Sequence, residues 1–269
     1  MTPRLDSTLA WKTATRLVAT NRDVLMAIAG VFFLLPGLFG SLVLPRPEFG
    51  DGMTDKQMAE AILRFYGDAG PVLILLSIPM FLGFMTMLKV MLDPARPTVG
   101  TSIARCLRLL PTYLGAHILS TFGMTLIWLV LLSVLTLLLP AVLAIFLSIV
   151  LLTYPASRLI LVTPEIVASE VRSPLRAITN SIRDTQGAYF GILGYFGPAL
   201  TLFMVLYGLI MIFVGVVLVQ TTEGETQRML SEGIIALLFA VGYTYLAAML
   251  SSVWLQLAPR HQSPELPLS

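Results

Sequence analysis

Charge and hydrophobicity alternate along this chain in blocks far longer than any soluble helix or strand requires. Between Arg108 and Arg158 no Lys, Arg, Asp or Glu occurs, so Leu109–Ser157 is one uncharged, largely apolar run. A hydrocarbon core about 30 Å thick is crossed by roughly 20 such residues in a helix. The run therefore holds two crossings, with Pro140 where a tight hairpin falls between them. Four further apolar windows of spanning length flank it. The pattern predicts an all-α integral membrane protein whose six transmembrane helices cover 24–44, 72–92, 111–138, 141–162, 188–219 and 234–257. Residues 1–257 form a single membrane domain, followed by a disordered tail over 258–269. Prolines punctuate the spans: Pro36-Gly37 lies inside the first, Gly70-Pro71 opens the second, and Gly197-Pro198 interrupts the fifth.

Between the spans the period changes. Ser173-Pro174 reads as an N-cap followed by proline at the first helical position. Leu175, Ile178 and Ile182 then share one face, Arg176, Asn180 and Arg183 another, and Gly187 stops the segment. This is the pattern of a short amphipathic helix lying in the membrane interface. Two more are predicted, from Ser7 to Asn21 and from Thr101 to Leu110. Each is expected to start at a Ser or Thr cap, and each feeds the first span of a hairpin. Aligning Ser7, Thr101 and Ser173 puts Leu9, Ile103 and Leu175 in register, so three units of interface helix plus hairpin are one expectation for the architecture. On the far side, Thr54 is expected to cap a helix from Asp55 to Tyr66, either a lid over the bundle or a simple connector within the loop 45–70.

Composition agrees with the class: 57% of the residues are hydrophobic and 12% charged, whereas soluble domains run about 25% charged. A formal net charge of +2 gives no reason to expect a nucleic-acid partner. The basic residues are nonetheless unevenly placed. Arg4, Lys12, Arg16, Arg22, Lys89, Arg96, Arg105, Arg108, Arg158, Arg172, Arg176, Arg183 and Arg260 fall on one side of the predicted spans. Only Arg46, Lys56, Arg64 and Arg228 fall on the other, which carries Glu48, Asp51, Asp55, Glu60, Asp68, Glu223, Glu225 and Glu232. The positive-inside bias then predicts that both termini lie in the cytoplasm.

Candidate chemistry is sparse. One cysteine, Cys106, excludes an internal disulfide, and neither a metal-site spacing nor a catalytic elbow, zincin or phosphate-loop motif occurs. No cofactor and no metal are expected, and no residue is assigned a catalytic role. His117, inside the third span, is expected to hydrogen-bond a neighbouring helix, the alternative being a titrating or ligand-binding group. Lys89 and Arg158 are expected to snorkel. Arg158 follows Pro155 near the end of the fourth span, and Arg172, Arg176 and Arg183 belong to the same side. Guanidinium groups pair bidentately with phosphate, so the four form a candidate cradle for the phosphate of an anionic phospholipid. The competing reading is a topological anchor, with Glu165 as a partner for Arg158. Gly187, Gly191, Gly194 and Gly197 make a small-residue track expected to let helices pack closely, within one subunit or in a homo-oligomer.

A family resemblance runs through the same region. Tyr154-Pro155-Ala156-Ser157-Arg158-Leu159, Thr163-Pro164-Glu165-Ile166-Val167, Ser173-Pro174-Leu175-Arg176-Ala177-Ile178 and Asp184-Thr185-Gln186-Gly187 are similar to the glycerophosphoryl diester phosphodiesterase membrane-domain family. Pro174, Ala177, Ser181, Thr185 and Gly187 carry the match. The wider layout resembles that of YciC-like bacterial inner-membrane proteins. In fused members of the family the diesterase activity belongs to a separate soluble catalytic domain, and this chain of 269 residues is expected to carry none. The resemblance, the basic interface helices and the absence of catalytic residues together lead to the expectation of a non-enzymatic protein that binds anionic lipid and scaffolds or regulates the envelope, with membrane lipids and an envelope protein or a second copy as partners. The alternative is a transporter or channel for a lipid or an apolar solute.

Overall fold

The computed structural model describes residues 5–44, 52–221 and 224–258. Ten α-helices follow one another: α1 (Ser7–Thr20), α2 (Arg22–Ala29), α3 (Leu35–Val43), α4 (Asp55–Leu92), α5 (Val99–Leu138), α6 (Ala141–Leu159), α7 (Val162–Ala168), α8 (Pro174–Asp184), α9 (Tyr189–Thr221) and α10 (Gly224–Leu257). No strand occurs among the described residues. Among the described residues, six stretches are long and apolar enough to cross a membrane: Arg22–Ser41, Asp55–Leu92, Val99–Leu138, Ala141–Ala168, Tyr189–Thr221 and Met229–Leu257. The chain is an all-α, multi-pass membrane protein. Arg4, Arg46, Glu48, Asp51, Glu223, Arg260, His261 and tail residues 259–269 lie outside the described residues, as do the side chains of Glu225 and Arg228.

The prolines do less than the sequence pattern implies. Gly70-Pro71 does not open a new helix, because α4 runs through it as one helix of 38 residues. Its start is fixed by a reciprocal capping box between Thr54 and Gln57. The predicted helix Asp55–Tyr66 is therefore neither a lid nor a separate connector; it is the first third of α4, and Leu63 and Tyr66 stay exposed on it. In the same way α5 runs for 40 residues through Pro111 and α9 for 33 through Pro198. In a hydrocarbon phase a broken helix would leave peptide groups without partners, so continuity is the cheaper solution even with one bond lost at each proline.

Pro36 acts differently. A proline ring collides with the carbonyl four residues before it. Here the chain widens into a π-helical turn over Gly30–Leu34, and the Leu35 N–H donates to the Gly30 carbonyl. The extra residue swings Phe32 against α4, where a Cβ added at Gly83 would overlap Phe32 Cβ, and sets Phe33 on the Tyr243 ring at 4.8 Å between centroids.

The predicted interface helices also change. The middle one, Thr101–Leu110, is the beginning of α5, whose cap is Thr98; the cap of α1 is Asp6. Only Ser173 caps where expected. Asp6, Thr98 and Ser173 no longer stand at equal distances from Leu9, Ile103 and Leu175, so the register by which the three units were aligned does not hold.

The long helices form antiparallel hairpins. Trp128 of α5 donates to Ser148 Oγ of α6 at 3.2 Å, and Tyr195 of α9 shares a hydrogen bond with Ser252 of α10 at 3.2 Å. Helix α1 lies across this framework. Its Asp6 N–H donates to the Gln256 side chain, and Leu5 packs on Gly191. One end of the bundle thus collects α1, α7, α8, the last turns of α4, α6 and α10, and the first turns of α5 and α9. The tightest core lies there, with Met85, Met87 and Leu88 of α4, Ile166 and Val167 of α7 and Val253 of α10 fully buried.

Candidate functional site

The site is built where α6 ends. Helix α6 stops at Leu159 rather than continuing to Val162 as the hydropathy pattern predicts, which leaves carbonyl and amide groups to be satisfied inside the protein. Helix α8 supplies the partners. Ser181 Oγ donates to the Arg158 carbonyl at 2.7 Å and accepts from the Leu161 N–H at 3.2 Å, while Thr185 Oγ1 reaches the same carbonyl at 3.5 Å. Close approach is possible because the face of α8 turned inward is small: Ala177, Ser181 and Thr185 are essentially fully buried. Pro174 seats against Gly115 of α5, with 3.1 Å between its Cγ and the position a Gly115 Cβ would take. Gly187 closes the segment at φ +82, a conformation open to glycine. Pro174, Ala177, Ser181, Thr185 and Gly187 therefore each have a docking or turning role here.

What α8 keeps outside is equally definite. Leu175 is 63% and Ile182 40% exposed, whereas Ile178 is partly buried against the core, so the apolar face predicted from the sequence divides and only its two ends point away from the bundle. Arg172 and Arg176 are exposed beside it. Arg183 donates to the Asn180 side chain at 3.1 Å and pairs with Asp184 at 3.6 Å. Seven residues separate Arg176 from Arg183, about 10 Å along the helix. Arg158 is half-buried on α6 and lies over the Tyr154 ring at 5.8 Å. The four arginines thus share one end of the molecule and line an edge along α8, with Arg158 held on an aromatic face behind it.

Two polar features escape the sequence pattern. The first is Lys89, which does not snorkel. It is 4% exposed, and its ammonium group bonds Glu170 at 2.9 Å, Asp93 at 3.3 Å and the Val167 carbonyl at 3.4 Å. Arg105 adds contacts to Asp93 at 3.2 Å and Glu170 at 3.7 Å. Two cations and two carboxylates therefore tie α4, α5 and the α7–α8 linker together, and they hold Glu170 at φ +49, a backbone conformation that disfavours side chains. Burial alone pushes the Asp93 carboxyl up, but the Ala95 N–H, Lys89 and Arg105 outweigh it and hold the group below its ordinary value. Glu170 is likewise lowered, chiefly by its bond to Lys89. The Lys89/Asp93 spacing of four residues was the sequence signal for half of this network.

The second feature is α7. Its six residues Val162–Val167 are all buried, Glu165 among them. Glu165 accepts from Asn180 at 2.8 Å and from the Trp254 indole at 3.1 Å, so the partners of its carboxylate include α8 and α10. A Thr-Pro-Glu run within a polar-looking linker gives no periodicity from which such burial could be read.

His117 stacks on Tyr113 of its own helix at 4.2 Å between centroids and lies 6.4 Å from Phe81 of α4. No hydrogen bond from its ring to a neighbouring helix occurs among the described residues. The ring instead borders a cleft of about 560 Å³ between the α5–α6 hairpin and helices α4, α7, α9 and α10. No family model, curated protein or solved structure matches the chain.

The glycine track divides. Gly187 belongs to the turn before α9. Gly191 meets Leu5, whose Cβ would lie 3.0 Å from an added Cβ. Gly194 and Gly197 have nothing within 4 Å, and neither do Gly208 and Gly215 farther along α9.

Proposed function

We propose that this chain is a non-enzymatic, lipid-binding protein of a bacterial inner membrane, with both termini cytoplasmic, that holds anionic phospholipid at its basic end and there scaffolds or regulates the envelope. The observation that carries the reading is the orientation of α8. Its small residues lock into the bundle, while Leu175, Ile182, Arg172 and Arg176 are exposed together. Apolar side chains flanked by arginines are what an interfacial helix presents to acyl chains and phosphates. Helix α1, at the same end, exposes Leu9 and Trp11 beside Lys12 and Arg16. The cytoplasmic orientation rests on the excess of basic residues at this end. The resemblance to the glycerophosphoryl diester phosphodiesterase membrane-domain family supports the same reading, since its residues are those that dock α8.

The test is native mass spectrometry of protein released from native-lipid particles, beside Arg158→Ala/Arg176→Ala. Wild type is expected to retain an anionic phospholipid that the variant loses. Equal, unselective lipid on both returns Arg158 to a topological anchor and directs the search to a protein partner. The cleft beside His117 favours one second reading, a transporter of a lipid or apolar solute; flux into proteoliposomes above that of protein-free vesicles supports it, and equal flux removes it.

A further inference from the structure

The cleft is not uniformly apolar. Phe84, Leu152, Phe196, Leu246 and Leu250 give it apolar walls, but one stripe of α5 brings His117, Ser120, Thr121 and Thr125 to it, and α7 adds Thr163. His117 and Ser120 stand three residues apart, which places them side by side on the helix surface. Ser120 Oγ is buried and has no hydrogen-bond partner among the described residues, although a serine in a helix ordinarily bonds a carbonyl of the preceding turn. Trp128, at the other end of the stripe, is satisfied by Ser148. The unpartnered hydroxyl of Ser120 therefore lies at the His117 end of the stripe. From His117 to Trp128 the stripe runs about 16 Å, close to half the thickness of a hydrocarbon core.

We infer that the cleft seats one acyl chain of a membrane phospholipid, its ester carbonyl accepting hydrogen bonds from Ser120 and His117 and its methylenes running toward Trp128. Both donors lie nearer the basic end of α5 than Trp128 does, as the ester of a lipid in that leaflet requires. A solute without a long apolar chain would leave the Leu152, Leu246 and Leu250 wall without contact. A chain without an acceptor would leave the Ser120 hydroxyl unmatched, at the cost of a buried unmade hydrogen bond. The inference rests on the lipid-binding reading and adds a seat for the tail, distinct from the arginines that meet the headgroup.

The experiment uses full-length protein in nanodiscs of phosphatidylglycerol and phosphatidylcholine. A tracer phosphatidylglycerol carries a photoreactive diazirine midway along one acyl chain, and adducts are mapped by peptide mass spectrometry. Adducts are expected to concentrate on 117–128, 152–160 and Phe196. They should be lost in Ala156→Phe, whose side chain fills the cleft from a position already exposed to it. Thr121→Phe serves as a second plug should the first misfold. Ser120→Ala should lower adduct yield about fivefold, the worth of one hydrogen bond. Adducts spread evenly over outward residues such as Leu143 and Phe213, and unchanged by either plug, overturn the tail seat. Anionic-lipid retention read on the same samples separates the two claims. Retention with scattered adducts removes only the cleft assignment, whereas loss of retention selectivity together with scattered adducts removes both.

Discussion

Where α8 docks, hydroxyls of Ser181 and Thr185 close the end of α6, Lys89 joins three segments and Glu165 meets Asn180 and Trp254. At the opposite end Leu137, Leu138 and Val142 stand more than 70% exposed around the α5–α6 turn, and Gly208 and Gly215 of α9 face nothing within 4 Å. The same chain thus builds one end with buried polar joints and the other around exposed apolar side chains. The reason lies in the backbone. Straight helices satisfy their own peptide groups and ask nothing of their neighbours. Wherever helices stop inside the protein, as α6, α7 and α8 do, their ends need partners, and buried serines, threonines and carboxylates provide them.

The contrast should be broken most severely by Lys89→Met. It leaves Asp93 and Glu170 to Arg105 alone, and the expected loss is about 3 kcal/mol, at the lower edge of the range for a broken buried pair because Glu170 is half exposed. Unfolding by mixed micelles measures it, and a loss below about 1 kcal/mol would mean that the network is ornamental. Next in size is Ser181→Ala/Thr185→Val, which strips the Arg158 carbonyl and the Leu161 N–H of partners at a cost of about 1–3 kcal/mol. The equivalent change at the opposite end, Ser133→Ala/Thr136→Val, removes only bonds to carbonyls of its own helix and should alter stability by less than about 0.5 kcal/mol.

Gly191→Leu and Gly208→Leu make a smaller pair. The first drives a side chain into Leu5 and should cost about 1–2 kcal/mol, whereas the second enters open space and should leave the monomer within about 0.5 kcal/mol of wild type. Similar thermal midpoints for the two would contradict the packing of α9 on the N-terminal segment. The smallest effect is that of acid. Asp93 and Glu170 are both held below ordinary carboxylate values, so their contribution is fully present above about pH 5 and disappears as pH falls through the lowered values. A wild-type melting temperature that drops as pH falls below about 5, by an amount reduced in Lys89→Met, is the expected result.

Hydropathy made the regular half legible and the irregular half opaque. The charge-free run from Leu109 to Ser157, the turn at Pro140 and the excess of basic residues at one end are properties of composition, and the helices follow them. Proline reads from sequence as a stop, yet in α4, α5 and α9 the surrounding apolar phase enforces continuity, while Pro36 is accompanied by a π-helical turn. The amphipathic pattern of α8 grouped Leu175, Ile178 and Ile182, but Ile178 is partly buried on the core while Leu175 and Ile182 are exposed together with Arg176 and Arg183. It could not show that the face turned inward is Ala177 and Ser181, because small residues carry little hydrophobic signal. Lys89 and Glu165 were hidden for a related reason. A charge near a span end reads as a snorkelling group until its partners, on segments distant in sequence, are known. The arginines Arg158, Arg172, Arg176 and Arg183 were legible as a basic end, but their spread along α8 depends on how that helix docks.

The account turns on the claim that the α8 end, and not the whole surface, recruits anionic lipid. The direct measurement is the ratio of phosphatidylglycerol to phosphatidylcholine co-purifying with the protein from equimolar nanodiscs, for three proteins. Wild type and Lys56→Gln/Arg64→Gln, altered at the opposite end, should show the same enrichment in phosphatidylglycerol, and Arg172→Gln/Arg176→Gln/Arg183→Gln should fall to the bulk ratio. Equal enrichment in all three proteins, or loss on changing Lys56 and Arg64, would contradict it.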